Sequence, residues 1–141
     1  MIRSMRKTDA DRVADIWLEG NQKAHHFIDA QYWRDNLIPV KEQISQAEVY
    51  VWEERNQIQG FIGLSGTYIA GIFVAQEAQS RGIGRQLLDF AKGLRMQLSL
   101  CVYRKNVRAV EFYRREGFTV QEEGIDEDTG EAEYRMLWKR E

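Results

Sequence analysis

The chain has 141 residues, 43% of them hydrophobic and 30% charged, with a formal net charge of −2. That length suits one domain, residues 1–141, with one sizeable core; the charge balance argues against a general nucleic-acid binder. No apolar run approaches the length needed to span a bilayer, and the charged start MIRSMRKTD lacks the apolar stretch of a secretory signal.

Ile2 to Met5 alternates and predicts a short first strand. Thr8-Asp9-Ala10-Asp11 has the spacing of a capping box with Asp in the usual Glu place. A helix should follow, with Val13, Ile16, Trp17 and Gly20 along one face and His25-His26 at or just beyond its end. From Phe27 to Glu48 the apolar spacing again predicts helix. Pro39, which has no amide to donate, divides it into two short helices or breaks one near Asn36 to Pro39. Glu48 to Glu54 and Ile58 to Ser65 read as a hairpin across Arg55-Asn56-Gln57. Gly66 allows a second turn into a third antiparallel strand, Thr67 to Val74. Gly71 inside that strand predicts a bulge or a close backbone approach.

The most informative stretch comes next. A buried strand ending at Val74 leads into Gln79-Ser80-Arg81-Gly82-Ile83-Gly84, and then into a helix with Ile83, Leu87, Phe90, Ala91 and Leu94 at three-to-four spacing. The first amides of a helix have no internal partner and carry the positive end of its dipole. Glycines there let a ligand reach the backbone, so the stretch suits a phosphate, with Arg81 and Arg85 adding two cations. A plain glycine turn before a helix fits the same residues. The P-loop pattern is absent, and the dinucleotide fingerprint fails because Leu87 stands where its third glycine would be.

Gln97 to Tyr103 is a strand with Leu98, Leu100 and Val102 on one face and Cys101 on the other, parallel to the strand before the helix. Asn106 then caps a helix carrying Val107, Ala109, Val110, Phe112 and Tyr113, which Gly117 ends. Phe118 to Gln121 and Ala132 to Trp138 are the last strands, with an acidic turn between them. Arg81 to Glu116 holds nine basic and three acidic residues, and Gln121 to Glu133 seven acidic and no basic ones. Two solvated faces explain this, as does a cationic side for an anionic ligand opposite an acidic side for an amine. The lone Cys101 cannot form an internal disulfide, so the chain is read as cytoplasmic, with no membrane or nucleic-acid partner, as a monomer or homodimer.

Q-x-x-G-x-G after a strand, followed by Asn106-Val107-Arg108-Ala109-Val110-Glu111-Phe112-Tyr113-Arg114-Arg115-Glu116-Gly117-Phe118, resembles the paired motifs of the GNAT superfamily of N-acetyltransferases. The stretch His26-Phe27-Ile28-Asp29-Ala30-Gln31-Tyr32-Trp33-Arg34-Asp35 resembles its small stand-alone bacterial members. The resemblance implies an α/β (mixed α+β) fold: a splayed, mostly antiparallel mixed sheet of about seven strands flanked by about four helices. It implies acetyl-CoA as cosubstrate and no metal. The backbone of Ile72, Phe73 and Val74 would pair with the pantetheine arm. Amides from Gln79 through Ser80, Arg81, Gly82 and Ile83 to Gly84 would hold the pyrophosphate, and Asn106 would bond the pantetheine end. Tyr113 would lie near the thioester sulfur as general acid, and Tyr68 on the acceptor side.

The implied activity is direct acetyl transfer to a primary amine: a protein lysine, a protein N-terminus or a small amine. The alternative is a non-catalytic acyl-CoA sensor. Two positions depart from the family pattern. Gln76 stands where many members have proline, and Thr67 to Val74 contains no carboxylate to act as base. Tyr68, His25 and His26 are the candidates for that role. A covalent route through Cys101 is set aside on the expectation that a lone strand cysteine is a small buried hydrophobe.

Overall fold

A computed structural model describes residues 1–141. Seven strands, β1 (Ile2–Ser4), β2 (Glu48–Glu54), β3 (Gln57–Ser65), β4 (Tyr68–Val74), β5 (Gln97–Tyr103), β6 (Thr119–Ile125) and β7 (Ala132–Lys139), form one sheet in the order β1-β2-β3-β4-β5-β7-β6. Every neighbouring pair is antiparallel except β4 and β5. Five helices flank it: α1 (Ala10–Ala24), α2 (Ala30–Asp35), α3 (Leu37–Gln46), α4 (Ile83–Leu94) and α5 (Val107–Arg115). The count exceeds four because the segment around Pro39 yields two helices. Asn36 separates them, and Pro39 sits third in α3, where its missing amide has no intrahelical partner to lose. No helix is long and apolar enough to cross a membrane.

Strand alternation decides the two faces. Leu98, Leu100 and Val102 of β5 and Met136 of β7 pack with Ile83, Leu87, Leu88 and Ala91 of α4 and Val110 of α5. On the opposite face, Val49, Val51, Ile58 and Phe61 pack with Val13 and Ile16 of α1 and Ile44 of α3. Arg55 and Asn56 both adopt positive φ at the β2–β3 turn, the geometry whose twist suits a two-residue hairpin.

The start of α1 differs from the expected capping box. A 3₁₀ turn at Lys7–Asp9 precedes the helix, and Asp9, not Thr8, stands at its N-cap. The Asp9 carboxylate accepts from the Arg6 amide at 2.7 Å and from Arg3 at 2.8 and 3.2 Å. Arg3 also reaches Glu53, so one guanidinium ties β1, β2 and the foot of α1 together. The acidic turn is also shorter than expected: Glu122 and Glu123 belong to β6, which runs on to Ile125.

The bulge anticipated at Gly71 is present. The β3–β4 register shifts between Gly63 and Leu64, which face Gly71 and Ile69. A Cβ on Gly71 would lie 2.5 Å from the Phe73 ring, and one on Gly20 of α1 would lie 2.9 Å from it. Two glycines thus make the slot that holds Phe73, which stacks on Phe61 at 5.4 Å. A bulge bends and twists its strand, and β4 pairs with β5 only at Tyr68 and Ser99. Beyond that pair the strands part.

Candidate active site

The loop between β4 and α4 presents backbone. From Ser80 to Arg85 no amide finds a backbone acceptor, and the first bond of α4 runs from Gln86 N to Gly82 O. Ser80 and Gly82 have φ of 64° and 82°, left-handed conformations of the kind that build backbone nests suited to an anion, here beside a helix N-terminus. A Cβ at Gly82 would meet nothing within 4 Å. The loop's side chains are less free than its amides. Gln79 donates to the Val74 carbonyl at 3.1 Å, and Arg81 forms a fork with Glu54 at 2.7 and 2.9 Å. Arg85 stays at the surface, 3.6 Å from Glu116.

Where β4 and β5 part, a cavity of about 410 Å³ opens. It reaches from Ile72, Phe73, Val74 and Gln79 to Asp126 and Glu133 and includes Asn106 and Tyr113. Most of the predicted residues therefore meet, with the unpaired edge of β4 along one wall. Trp17 from α1, His25 at the cap just after it and Trp33 from α2 form an aromatic wall that sequence spacing did not reveal; the Trp17 and Trp33 rings meet edge-on at 5.8 Å. His26 is exposed and is not among the lining residues. A separate polar cavity between α1 and the β2–β3 hairpin, lined by Arg12, Glu53 and Glu77 among others, is crossed by the Arg12–Glu77 ion pair at 3.1 Å.

Asn106 does two jobs. Its Oδ1 accepts from the Ala109 amide at 3.3 Å, capping α5, and its Nδ2 lies 3.2 Å from His25 Nε2. Because Oδ1 faces an N–H, Nδ2 is the donor toward His25. His25 Nε2 therefore accepts, and its proton resides on Nδ1, which is buried with no partner. His25 is only 8% exposed, and burial lowers its pKa to about 4. Its accepting lone pair is occupied, and it stays neutral.

Tyr113 packs its ring against Phe112 at 5.2 Å and Phe118 at 5.6 Å. Burial, and secondarily the nearby Tyr68 phenol, raises its pKa, and its hydroxyl has no hydrogen-bonding partner in the chain. Tyr68 lines the cavity from β4, its pKa pushed up to about 12 by burial and by the neighbouring Cys101 thiol. Both phenols keep their protons and can donate. Cys101 is exposed into the cavity, not the buried hydrophobe expected, because its strand faces the opening on that side. Partial burial raises its pKa too, so it stands as a thiol rather than a nucleophilic thiolate. No cluster of His, Cys, Asp and Glu is arranged to hold a metal.

The acidic segment is mostly paired. Glu123 meets Arg104 at 2.6 Å, Glu131 meets Lys105 at 3.1 Å and Glu122 meets Arg135 at 3.7 Å. Asp126 accepts from the Tyr103 hydroxyl at 2.5 Å and from the Asp128 amide at 3.0 Å. Of the two carboxylates that line the cavity, Glu133 alone has no hydrogen bond or ion pair. In sequence it shows only as the end of the acidic segment and through alternation in β7, where Glu133 falls opposite in phase to Tyr134, Met136 and Trp138.

The family model described as an acetyltransferase (GNAT) domain matches residues 45–120. The peptidyl-lysine N-acetyltransferase YiaC of Escherichia coli K12 is 34% identical over 98% of this chain and 96% of its own length. The solution structure of apo YjaB from Escherichia coli superposes with a TM-score of 0.88 at 26% identity, covering 100% of this chain and 98% of that one. A PaiA N-acetyltransferase from Thermoplasma acidophilum, solved with coenzyme A, shares the fold at a TM-score of 0.83 and 19% identity, covering 99% and 98% of the two chains. These relatives favour turnover over acyl-CoA sensing alone. With the splayed sheet, the free amides before α4 and matches along nearly its whole length, this chain belongs to the GNAT family of N-acetyltransferases.

Proposed function

We propose that the chain, as one domain over residues 1–141, acetylates lysine side chains of peptides or proteins in the cytoplasm, with acetyl-CoA as cosubstrate. The observation that carries the lysine reading is the cavity itself: aromatic walls from Trp17, Trp33 and Phe73, with carboxylates at Asp126 and Glu133. A lysine is a long apolar stem ending in a cation. Aromatic faces accept both the stem and the charge, and the carboxylates favour the charge.

The chain's own groups suit the cosubstrate. The unpaired edge of β4 at Ile72, Phe73 and Val74 offers main-chain bonds to an extended amide arm. The amides from Ser80 to Arg85 suit a pyrophosphate, and the second Nδ2 hydrogen of Asn106 is free for the arm's end. The cosubstrate supplies an acetyl thioester. Tyr113 holds a proton for the departing sulfur, and Tyr68 orients the acceptor.

The test is thiol release from acetyl-CoA with two peptides. One has a single lysine and a blocked N-terminus; the other has no lysine and a free N-terminus. Turnover is expected with the first. Turnover confined to the second, or to small polyamines, would overturn the lysine assignment.

A further inference from the structure

An amine attacks only as the free base, and a lysine at neutral pH is an ammonium with pKa ~10.4. Some group must take that proton, and β4 contains no carboxylate. His25 is excluded because its accepting nitrogen already faces Asn106 Nδ2. The Tyr68 and Tyr113 phenols and the Cys101 thiol are held in their protonated forms. Asp126 is committed to the Tyr103 hydroxyl and the Asp128 amide. One lining group is left.

We propose that Glu133, on β7, is the base that receives the proton of the acceptor ammonium. The inference rests on the acetyltransferase reading of the cavity. Glu133 stands opposite Tyr103 in the β5–β7 register and lines the same cavity as Tyr68 and Cys101. It has no partner of its own. The groups around it are Tyr68 from β4, Cys101 and Tyr103 from β5, and Asp126 from the last turn. Arg135, two residues along β7, is drawn to Glu122 at 3.7 Å. Burial, then Asp126, raises the Glu133 pKa above its ordinary 4.5, which strengthens it as a base.

The protons balance. Glu133 takes one from the ammonium and later loses it to solvent. The amine nitrogen bonds to the acetyl carbon as the carbon–sulfur bond breaks. The sulfur takes a proton from Tyr113, which recovers it from the nitrogen as the amide forms. The net products are acetylated amine, free thiol and one proton.

Glu133→Gln keeps the shape and removes the basicity. With the lysine peptide, kcat/KM near neutral pH should fall by about 10²-fold, while acetyl-CoA affinity by calorimetry is unchanged. The loss should shrink to under about tenfold as the pH nears the amine's own pKa of ~10.4, where the amine sheds its proton unaided. Glu133→Asp, which keeps the charge, should lose less and keep the wild-type pH profile. A loss equal at every pH, or no loss, would overturn the proposal. If the wild type instead prefers the peptide N-terminus, lysine is the wrong acceptor, and Glu133 is judged on that amine, with rescue expected near its pKa of ~8.

Discussion

Tyr113→Phe separates catalysis from stability at one atom. The hydroxyl makes no hydrogen bond in the chain, while the ring is held between Phe112 and Phe118. Phenylalanine keeps the ring contacts, so the variant lacks the usual penalty of about 0.5–1.5 kcal/mol for a lost hydrogen bond. Losing such a bond would lower Tm by about 4 °C in a domain of this size; the expected shift is within about 2 °C. Catalysis should respond in the opposite sense. Losing one general acid costs about 10²-fold in kcat, or about 2.7 kcal/mol of barrier at 1.36 kcal/mol per decade. The raised pKa keeps the phenol protonated on both sides of neutrality, so the ratio of wild-type to variant kcat should stay constant from mildly acidic to mildly alkaline pH. Thermal melts, calorimetry with acetyl-CoA and thiol-release kinetics measure the three quantities. Unchanged kcat beside a Tm lowered by about 4 °C would show the hydroxyl to be structural and refute the assignment.

Other substitutions test the remaining parts. Gly84→Val should weaken coenzyme A binding by at least about tenfold, or about 1.4 kcal/mol, while the domain folds; a Cβ there meets only Val74 Cγ2, at an ordinary 3.7 Å. Unchanged affinity by calorimetry would remove the phosphate role. For His25 the folded pKa of about 4 lies below the ordinary 6.5. The unfolded chain therefore takes up the proton first, and stability is lost as the pH falls through that window. Urea unfolding should show a contribution of about 2 kcal/mol lost between about pH 7 and 5, and His25→Phe should abolish that part of the slope; identical slopes would contradict the buried neutral ring. Within the acidic segment, Glu122 and Glu123 pair with arginines. Glu127 and Asp128 form no ion pair, so steering of a cationic acceptor falls to them. Glu127→Gln with Asp128→Asn should lower kcat/KM about two- to threefold at low salt and match wild type at high salt. Equal values at low salt would leave these charges as a solvated face.

The features legible in sequence are those whose causes are local. β5 alternates through Leu98, Leu100 and Val102 because its period is two, and α5 carries its own cap at Asn106 and its own stop at Gly117, whose φ is 95°. The proposed phosphate loop was readable because strand, glycines and helix N-terminus are contiguous, and the site proposed there is built from backbone amides. Tertiary structure decided what depends on partners far along the chain. Glu54 meets Arg81 across 27 positions and His25 meets Asn106 across 81, and neither pair leaves a periodic signal. Cys101 lies on the strand face opposite Leu98, Leu100 and Val102, and that face meets an opening rather than a packed layer because β4 and β5 part beyond Tyr68 and Ser99. Glu133 belongs to the cavity because β7 inserts between β5 and β6. Composition and period specify which side of a strand is apolar; only strand order and the neighbours it brings specify which polar side chain on the other side lacks a partner, and that lack is what makes Glu133 available for chemistry.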